Sequence, residues 1–433
     1  MKYSLELILK NTFYTLAISS IYFACSSSQD SGEEEVKMDA SEPTYSLVVE
    51  AESLHDLSDQ SRLNEAVLGE SVTLTEGEWL AIDADFEQAG RYRVEVFGTP
   101  IGADTSAIWT EDYYDNPDGR TYDVTGKIVK SPSSEIQNYS VEGSPFNKGL
   151  HKMKVHVSRG SVDIDKIVFT MMKPHKASTE ILTQNYEGSE WELVWSDEFD
   201  GTQIDQSKWT FDFGDWGWGN NELQYYTENR PENARVENGI LVIEARKGDL
   251  GNKWTSARMT TRGKVAFLYG KIEFKAMVPR ERGNWAAGWT LGNTYVDEKD
   301  WPYSGEIDIM ESVGYEVDDE TGDGIAHATV HTPAYYFKIG NQISSTREVS
   351  KIAADWHTYA VEWTPSEIRM LVDGEPYYLY DKTANEKEWP FNIPQNIILN
   401  LAMGGGWGGA QGMDPNITDQ KLLIDFVRVY QKK

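Results

Sequence analysis

The chain has 433 residues, with 70 acidic against 40 basic side chains and a formal net charge of −30. That length exceeds one ordinary core and predicts two domains plus tails. The charge excludes nucleic acid as a partner, because a phosphate backbone demands clustered Lys and Arg, and suits a soluble protein that handles neutral polymers.

The N-terminus carries Lys2 and Lys10 and then an apolar run, Thr12–Ala24, too short for an ordinary membrane span. Next comes Cys25, the only cysteine, so an intramolecular disulfide is excluded. Residues 1–24 read as a lipoprotein signal peptide, with cleavage leaving Cys25 to carry lipid. Tyr22-Phe23-Ala24-Cys25 resembles a lipobox through the small Ala24, while Tyr22, Phe23 and Glu6 depart from the usual pattern. Stable anchoring takes two acyl chains. Residues 25–44, containing SSSQDSGEEE, read as a flexible acidic tether. Acidic residues in that place resemble the export signals of some Gram-negative surface lipoproteins. The expected location is the cell envelope, lipid-anchored at the outer membrane and facing outward, with the leaflet left open.

Residues 45–172 alternate apolar and polar residues at period two, as in Tyr45–Glu50, Arg91–Val96, Lys152–Val157 and Val162–Phe169. With no long apolar stripe at helical spacing, this predicts an all-β sandwich. Residues 173–189 hold Pro174, Gly188 and mostly polar side chains and read as a linker. The same pattern resumes over 190–433. Lys271–Val278 puts Ile272, Phe274, Ala276 and Val278 on one face, and Leu241–Ala245, His357–Trp363, Ile368–Val372, Asn396–Leu401 and Leu422–Tyr430 add strands. Asp373-Gly374 is a hairpin turn. The expected fold is therefore two jelly-roll sandwiches, the second with a face able to curve into a groove.

Thirteen of the 15 Trp follow Glu190, leaving only Trp79 and Trp109 before it. Composition leaves two readings open: a large aromatic core, or a cleft whose flat rings meet sugar faces.

The informative stretch is Trp301–Ser312, W-P-Y-S-G-E-I-D-I-M-E-S. In a regular strand Glu306 and Asp308 would face a wet cleft, and Glu311 would point into the core with Ile307 and Ile309. A buried, unpaired Glu is costly, so a β-bulge near Met310 is expected, turning Glu311 back into the cleft. The Cα atoms of the two glutamates would then lie about 13 Å apart at ~3.3 Å per residue. Inward-leaning side chains can narrow the carboxyl gap to the roughly 5–5.5 Å of a retaining glycosidase. Such a pair divides the work into a nucleophile, Glu306, and a general acid then base, Glu311, with Asp308 keeping their ionisation states apart. An acidic solvent-facing strand edge is the plainer alternative for the tripeptide pattern alone.

In order along residues 190–430, the chain carries Leu193–Asp200 (LVWSDEFD), Asn220–Thr227 (NNELQYYT), Arg230–Val236 (RPENARV), Tyr269–Phe274 (YGKIEF), Gly305–Ser312 (GEIDIMES), His357–Trp363 (HTYAVEW) and Ile424–Tyr430 (IDFVRVY). As an ordered set these resemble glycoside hydrolase family 16, the laminarinase-like β-glucanases. The resemblance implies a concanavalin A-like sandwich, no catalytic cofactor, and Glu306, Asp308 and Glu311 as catalytic residues. The extra residue at Met310 implies the β-1,3-glucanase branch rather than the lichenan cutters, which lack it. It further implies substrate contacts at Asn233, Arg258, Trp285, Trp289, Trp301, His331 and Trp407. A structural calcium is implied on the convex side, at Glu198, Asp425 and the Gly239 carbonyl; ordinary salt links explain these carboxylates equally. Asn284–Trp289 (NWAAGW) departs from the family's Trp-Pro-Ala-Phe-Trp.

Residues 45–172 resemble carbohydrate-binding module family 6 through Val49–Glu52, Gly77–Asp83, Ala89–Val94, Gly149–Val155 and Asp163–Phe169. This implies calcium at Glu50 and Glu52 and sugar binding by loop aromatics. The usual binding asparagine is replaced by Asp163, which leaves Trp109, Tyr113 and Tyr114 as the candidates and a spacer role as the alternative. The expected function is retaining endo-hydrolysis of β-1,3-glucan by a monomer acting on a polysaccharide, with a membrane contact through the lipid only. The alternatives are a family 16 hydrolase of agarose or mixed-linkage glucan, and a non-catalytic surface glycan-binding lipoprotein.

Overall fold

Period-two alternation becomes two pairs of packed, largely antiparallel sheets in the computed structural model, which describes residues 45–113 and 122–433. The expected signal peptide, Cys25, the tether and Tyr114 lie outside the described residues.

In the N-terminal sandwich one sheet runs Ser46–Glu50, Ser161–Pro174, Gly90–Ile101, Gln137–Phe146, with Val72–Thr75 also on Ser161–Pro174. The facing sheet runs Asp56–Leu57, Trp79–Phe86, Gly149–Arg159, Ser106–Asp112, Tyr122–Asp123, with Ile128–Lys130 also on Ser106–Asp112. Leu80, Ile82, Val94, Val96, Val155, Ile167 and Phe169 fill the space between them. Each such side chain taken out of water contributes about 1.5–3 kcal/mol.

The C-terminal sandwich is larger. Its nine-stranded sheet has the path Glu180–Thr183, Val265–Leu268, Gln395–Met403, Asn284–Gly292, Glu306–Val313, Gly324–His331, Ile343–Val349. A ten-stranded sheet packs behind it, centred on Ile240–Lys247, Gln420–Lys432, Gly270–Met277 and His357–Trp363. The expected face of Gly270–Met277 is the buried one: Ile272, Phe274 and Ala276 join Ile307, Ile309, Leu399 and Leu401 in one core. Asp373 and Gly374 both have positive φ, at 52° and 81°, and close the hairpin between Glu367–Val372 and Glu375–Asp381.

Residues 173–189 are not a free linker. Ser161–Pro174 carries the N-terminal sheet into the segment, and Glu180–Thr183 pairs in parallel with Val265–Leu268 of the C-terminal sandwich. The sandwiches also meet directly. A Cβ on Gly143 would lie 2.0 Å from the Phe213 carbonyl oxygen, and one on Gly214 2.0 Å from the Glu142 carbonyl oxygen. Both glycines have positive φ, so backbone packs on backbone where no side chain fits.

Candidate active site

The strand Glu306–Val313 lies mid-sheet between Asn284–Gly292 and Gly324–His331. Asp308 pairs with Trp289 but Met310 with Gly288, so Ile309 is the additional residue; on the other side Asp308 and Glu311 pair with Thr329 and His327. Ile309 and Met310 both enter the core, and Glu311 returns to the side of Glu306 and Asp308. The bulge thus sits where the cost of a core-facing glutamate demands it. Gly288 leaves the room: a Cβ there would lie 2.2 Å from the Phe274 ring.

All three acids line one cavity of about 440 Å³. Trp301 Nε1 donates to Glu306 Oε2 at 2.9 Å, and Trp285 Nε1 donates to Glu311 Oε1 at 3.1 Å. His331 Nε2 lies 3.5 Å from Asp308 Oδ2 and 3.7 Å from Glu306 Oε1. Asp308 is 3% exposed, Glu311 9% and His331 6%.

Burial dominates the electrostatics. It pushes Glu306 up to about 7; the Trp301 hydrogen bond and the Arg258 charge oppose it, and Glu298 adds to it. Burial and then the charge of Glu306 push Glu311 up to about 8, with the Trp285 hydrogen bond opposing. Asp308 is raised well above the carboxylate range by burial and by both glutamates, and it shares a hydrogen bond with Glu306. Burial pushes His331 down to about 3, so its ring is neutral. Three crowded acids titrate as a unit. The order that follows is an ionised Glu306, accepting hydrogen bonds from Asp308 and Trp301, beside a protonated Glu311. Such a pair can divide nucleophile and acid between them.

Around them stand the expected rings. Trp407 packs edge-on to Trp285, with centroids 5.3 Å apart, and to His327 at 4.9 Å. His327 Nε2 lies 2.5 Å from Glu316 Oε2. On the opposite wall the Arg258 guanidinium sits between Trp218 at 4.9 Å and Trp289 at 4.7 Å, with its Nε 3.1 Å from Asp212 Oδ2. Arg258 therefore holds two indoles in place, while Trp289 Nε1 donates to Asn400 Oδ1 at 2.7 Å.

Two expectations need correction. Asn233 is fully buried away from the cavity; it accepts from Thr227 and Arg230 and donates to the Glu244 carbonyl and to Thr255. Its amide is spent on holding a turn, so it is a structural residue. The convex calcium set is not assembled either. Arg428 holds Glu198 through both carboxylate oxygens, with the shortest contact 2.7 Å, and Lys275 Nζ lies 2.9 Å from Asp425 Oδ2. Two cations already neutralise the carboxylates a calcium ion would need, so these residues do not fit it.

In the N-terminal sandwich Glu50 is exposed, whereas Glu52 Oε2 is buried without a hydrogen-bond partner. Among the described residues the only His, Cys, Asp and Glu side chains gathered in threes are Glu306, Asp308 and His331, each offering one atom within 4.8 Å of the others. All three side chains line the same cavity as Glu311. Trp109 lies on the outer sheet face, while Tyr113 Oη lies 2.9 Å from His55 Nε2 and its ring carries Lys154 Nζ at 4.3 Å.

Sequence reasoning missed Trp216, Trp218, Glu222, Glu298 and Asn400 as lining residues. Burial pushes Glu222 up to about 7 against hydrogen bonds from Gln224, Asn220 and Tyr226. Asn400 had a legible signal, a polar residue within the apolar strand Gln395–Met403.

A bulged strand bearing three buried acids in an aromatic-walled cavity defines a glycoside hydrolase of the β-sandwich class. The sequence model of Glycosyl hydrolases family 16 matches residues 221–427. A beta-glucanase of Rhodothermus marinus is 48% identical over 255 residues, covering 56% of this chain and 85% of that one. A glucan endo-1,3-beta-glucosidase of Cryptopygus antarcticus is 37% identical over 257 residues, covering 56% and 92%. Among solved structures, the laminarinase from Rhodothermus marinus aligns at 46% identity and a TM-score of 0.52, covering 56% of this chain and 98% of that one. The chain belongs to glycosyl hydrolase family 16.

Proposed function

We propose that this hydrolase cleaves β-1,3-glucan of the laminarin type internally, with retention of anomeric configuration. The observation that carries this reading is the bulge, which brings Glu306 and Glu311 into one cavity, where burial and the charge of Glu306 hold the Glu311 proton. Glu306 attacks the anomeric carbon as Glu311 gives its proton to the departing glycosidic oxygen, leaving a glycosyl ester on Glu306. Glu311, now a carboxylate, takes a proton from water as that water attacks the same carbon; the ester breaks and both groups return to their starting state. Two inversions give net retention. The neutral His331 beside Glu306 and Asp308 adds no competing positive charge.

Relatives named for beta-glucan and 1,3-beta-glucan cleavage support the linkage. The cavity's charge supports a neutral polymer. Among the described residues its two cations are both paired, Arg258 with Asp212 and Lys338 with Glu298, so no free positive charge lines it to hold the sulfate of a sulfated galactan. The test is reducing-sugar release from laminarin, lichenan and agarose by the wild type, Glu306→Gln and Glu311→Gln. Cleavage of laminarin that both substitutions abolish supports the reading; cleavage of agarose alone moves the substrate to galactans.

Cys25 carries lipid and holds a monomer at the outer membrane, so Cys25→Ser should shift the protein from the membrane fraction to the soluble one. The N-terminal sandwich binds glycan. A calcium ion at Glu52 would satisfy its buried unpartnered oxygen, and a chelator should then lower the melting temperature.

A further inference from the structure

The second cavity bearing on function lies between the two sandwiches. It measures about 410 Å³ and is lined by Trp109, Asp123, Lys127 and Ser158 of the N-terminal sandwich and by Gly219, Asn221 and Lys338 of the C-terminal one. Gly219 and Lys338 also line the catalytic cavity, so the two spaces border one another there. Of these two residues Gly219 has no side chain, and its φ of 73° disfavours one, while the Lys338 ammonium lies 3.5 Å from Glu298 Oε2.

The ring in this cavity is held in a fixed orientation. In the strand Ser106–Asp112, Ile108 belongs to the core, so Trp109 stands on the outer face. One face of its indole lies flat on His156, with centroids 4.1 Å apart and planes within 8°. His156 is held in turn, its Nε2 2.7 Å from Glu111 Oε2. The indole also lines the cavity, and the residue is only partly buried. A large flat apolar surface with polar groups at its edges suits the face of a pyranose ring.

The spacing between this ring and the catalytic acids is also fixed. Trp216, Trp218 and Tyr226 of the C-terminal sandwich share one hydrophobic cluster with Tyr122, Val124 and Tyr139 of the N-terminal one. Arg91 Nη2 lies 3.1 Å from Asp212 Oδ1, and Asp212 is the residue that holds Arg258. Tyr122 Oη donates to the carbonyl of Trp301, whose indole donates to Glu306. The N-terminal sandwich is therefore bolted to the wall and floor of the catalytic cavity rather than tethered beside it.

We propose that a glucan chain lying in the catalytic cavity continues past Gly219 and Lys338 onto Trp109, which serves as a remote sugar subsite supplied by the N-terminal sandwich. This rests on the β-glucanase reading and deepens it: the sandwich acts on chain-length preference through one continuous path, not as an independent binding module. A substrate long enough to span both cavities gains the extra contact, and a short one confined to the catalytic cavity does not. The contact is far from the reacting bond, so it acts in binding and not in the chemical step.

The experiment compares the wild type with Trp109→Ala and Trp109→Phe, in the full chain, on long-chain laminarin and on a short β-1,3-gluco-oligosaccharide. Melting temperatures are measured alongside. The expected result is a KM for laminarin raised about 3- to 10-fold in Trp109→Ala, partly restored in Trp109→Phe, with kcat unchanged and the short substrate unaffected. Equal kinetics on both substrates would overturn the proposal, as would a loss shared equally by both, which marks a structural role. Wild-type inactivity on every β-1,3-glucan would instead refute the β-glucanase reading, a result distinct from either.

Discussion

The two sandwiches are built alike, yet the buried acids of the outer N-terminal strand and those of the catalytic strand are treated in opposite ways. In the N-terminal sandwich the buried acids have a histidine each: Asp112 Oδ2 lies 2.6 Å from His151 Nδ1, and Glu111 Oε2 lies 2.7 Å from His156 Nε2. In the C-terminal sandwich Glu306, Asp308 and Glu311 have indole donors and one another. Burial without a cationic partner raises proton affinity, and that is what general acid catalysis near neutrality requires. Acids placed for stability are matched with bases; acids placed for chemistry are left partly unmatched, at a cost to stability.

That contrast can be broken most forcefully at Glu306. Glu306→Gln should lower kcat on the order of 10⁴-fold or more, because no other group can form the glycosyl ester. Glu311→Gln should lose about 10²–10⁴-fold on glucan, and much less in the first step on an aryl glycoside whose leaving group needs no proton. The reverse behaviour is expected of the paired acids. His151→Ala leaves buried Asp112 with only the Lys299 ammonium, 3.6 Å from Oδ2, and should cost about 2–3 kcal/mol of stability by denaturant unfolding, with kcat unchanged.

Asp308→Asn can still donate to Glu306, so it should lose only about tenfold in kcat, and Asp308→Ala more.

The smallest effect is a pH-dependent stability difference. The folded proton affinity of Glu311 is raised, so the stability linked to its proton is complete below the unfolded carboxylate range and lost as pH rises towards about 8. Glu311→Gln should therefore melt about 2–4 °C above the wild type at pH 9 and match it near pH 4. By the same values, kcat/KM should peak between the ionisation of Glu306 near 7 and that of Glu311 near 8, falling on either side.

Much of this was legible before the fold. Alternation marked the strands, and E-x-D-x-x-E demanded a bulge because one residue of slip decides which face a side chain takes. The residue-to-role step was weaker wherever it depended on long-range neighbours. Asn233 is consumed by its own turn, whereas Asn400, marked only by its place in an apolar strand, receives the Trp289 indole across strands. Glu198 and Asp425 read as calcium ligands until Arg428 and Lys275 were seen facing them. Residues 173–189 read as a linker because a short strand such as Glu180–Thr183 gains its stability from the sheet it joins, not from its own composition.

The central claim is that Glu306 and Glu311 act as nucleophile and acid across one bond. The most direct measurement is NMR of the new reducing ends during the first moments of laminarin cleavage, before mutarotation. The account predicts the β-anomer first, relaxing later to the equilibrium mixture; the α-anomer first would show single inversion and contradict it.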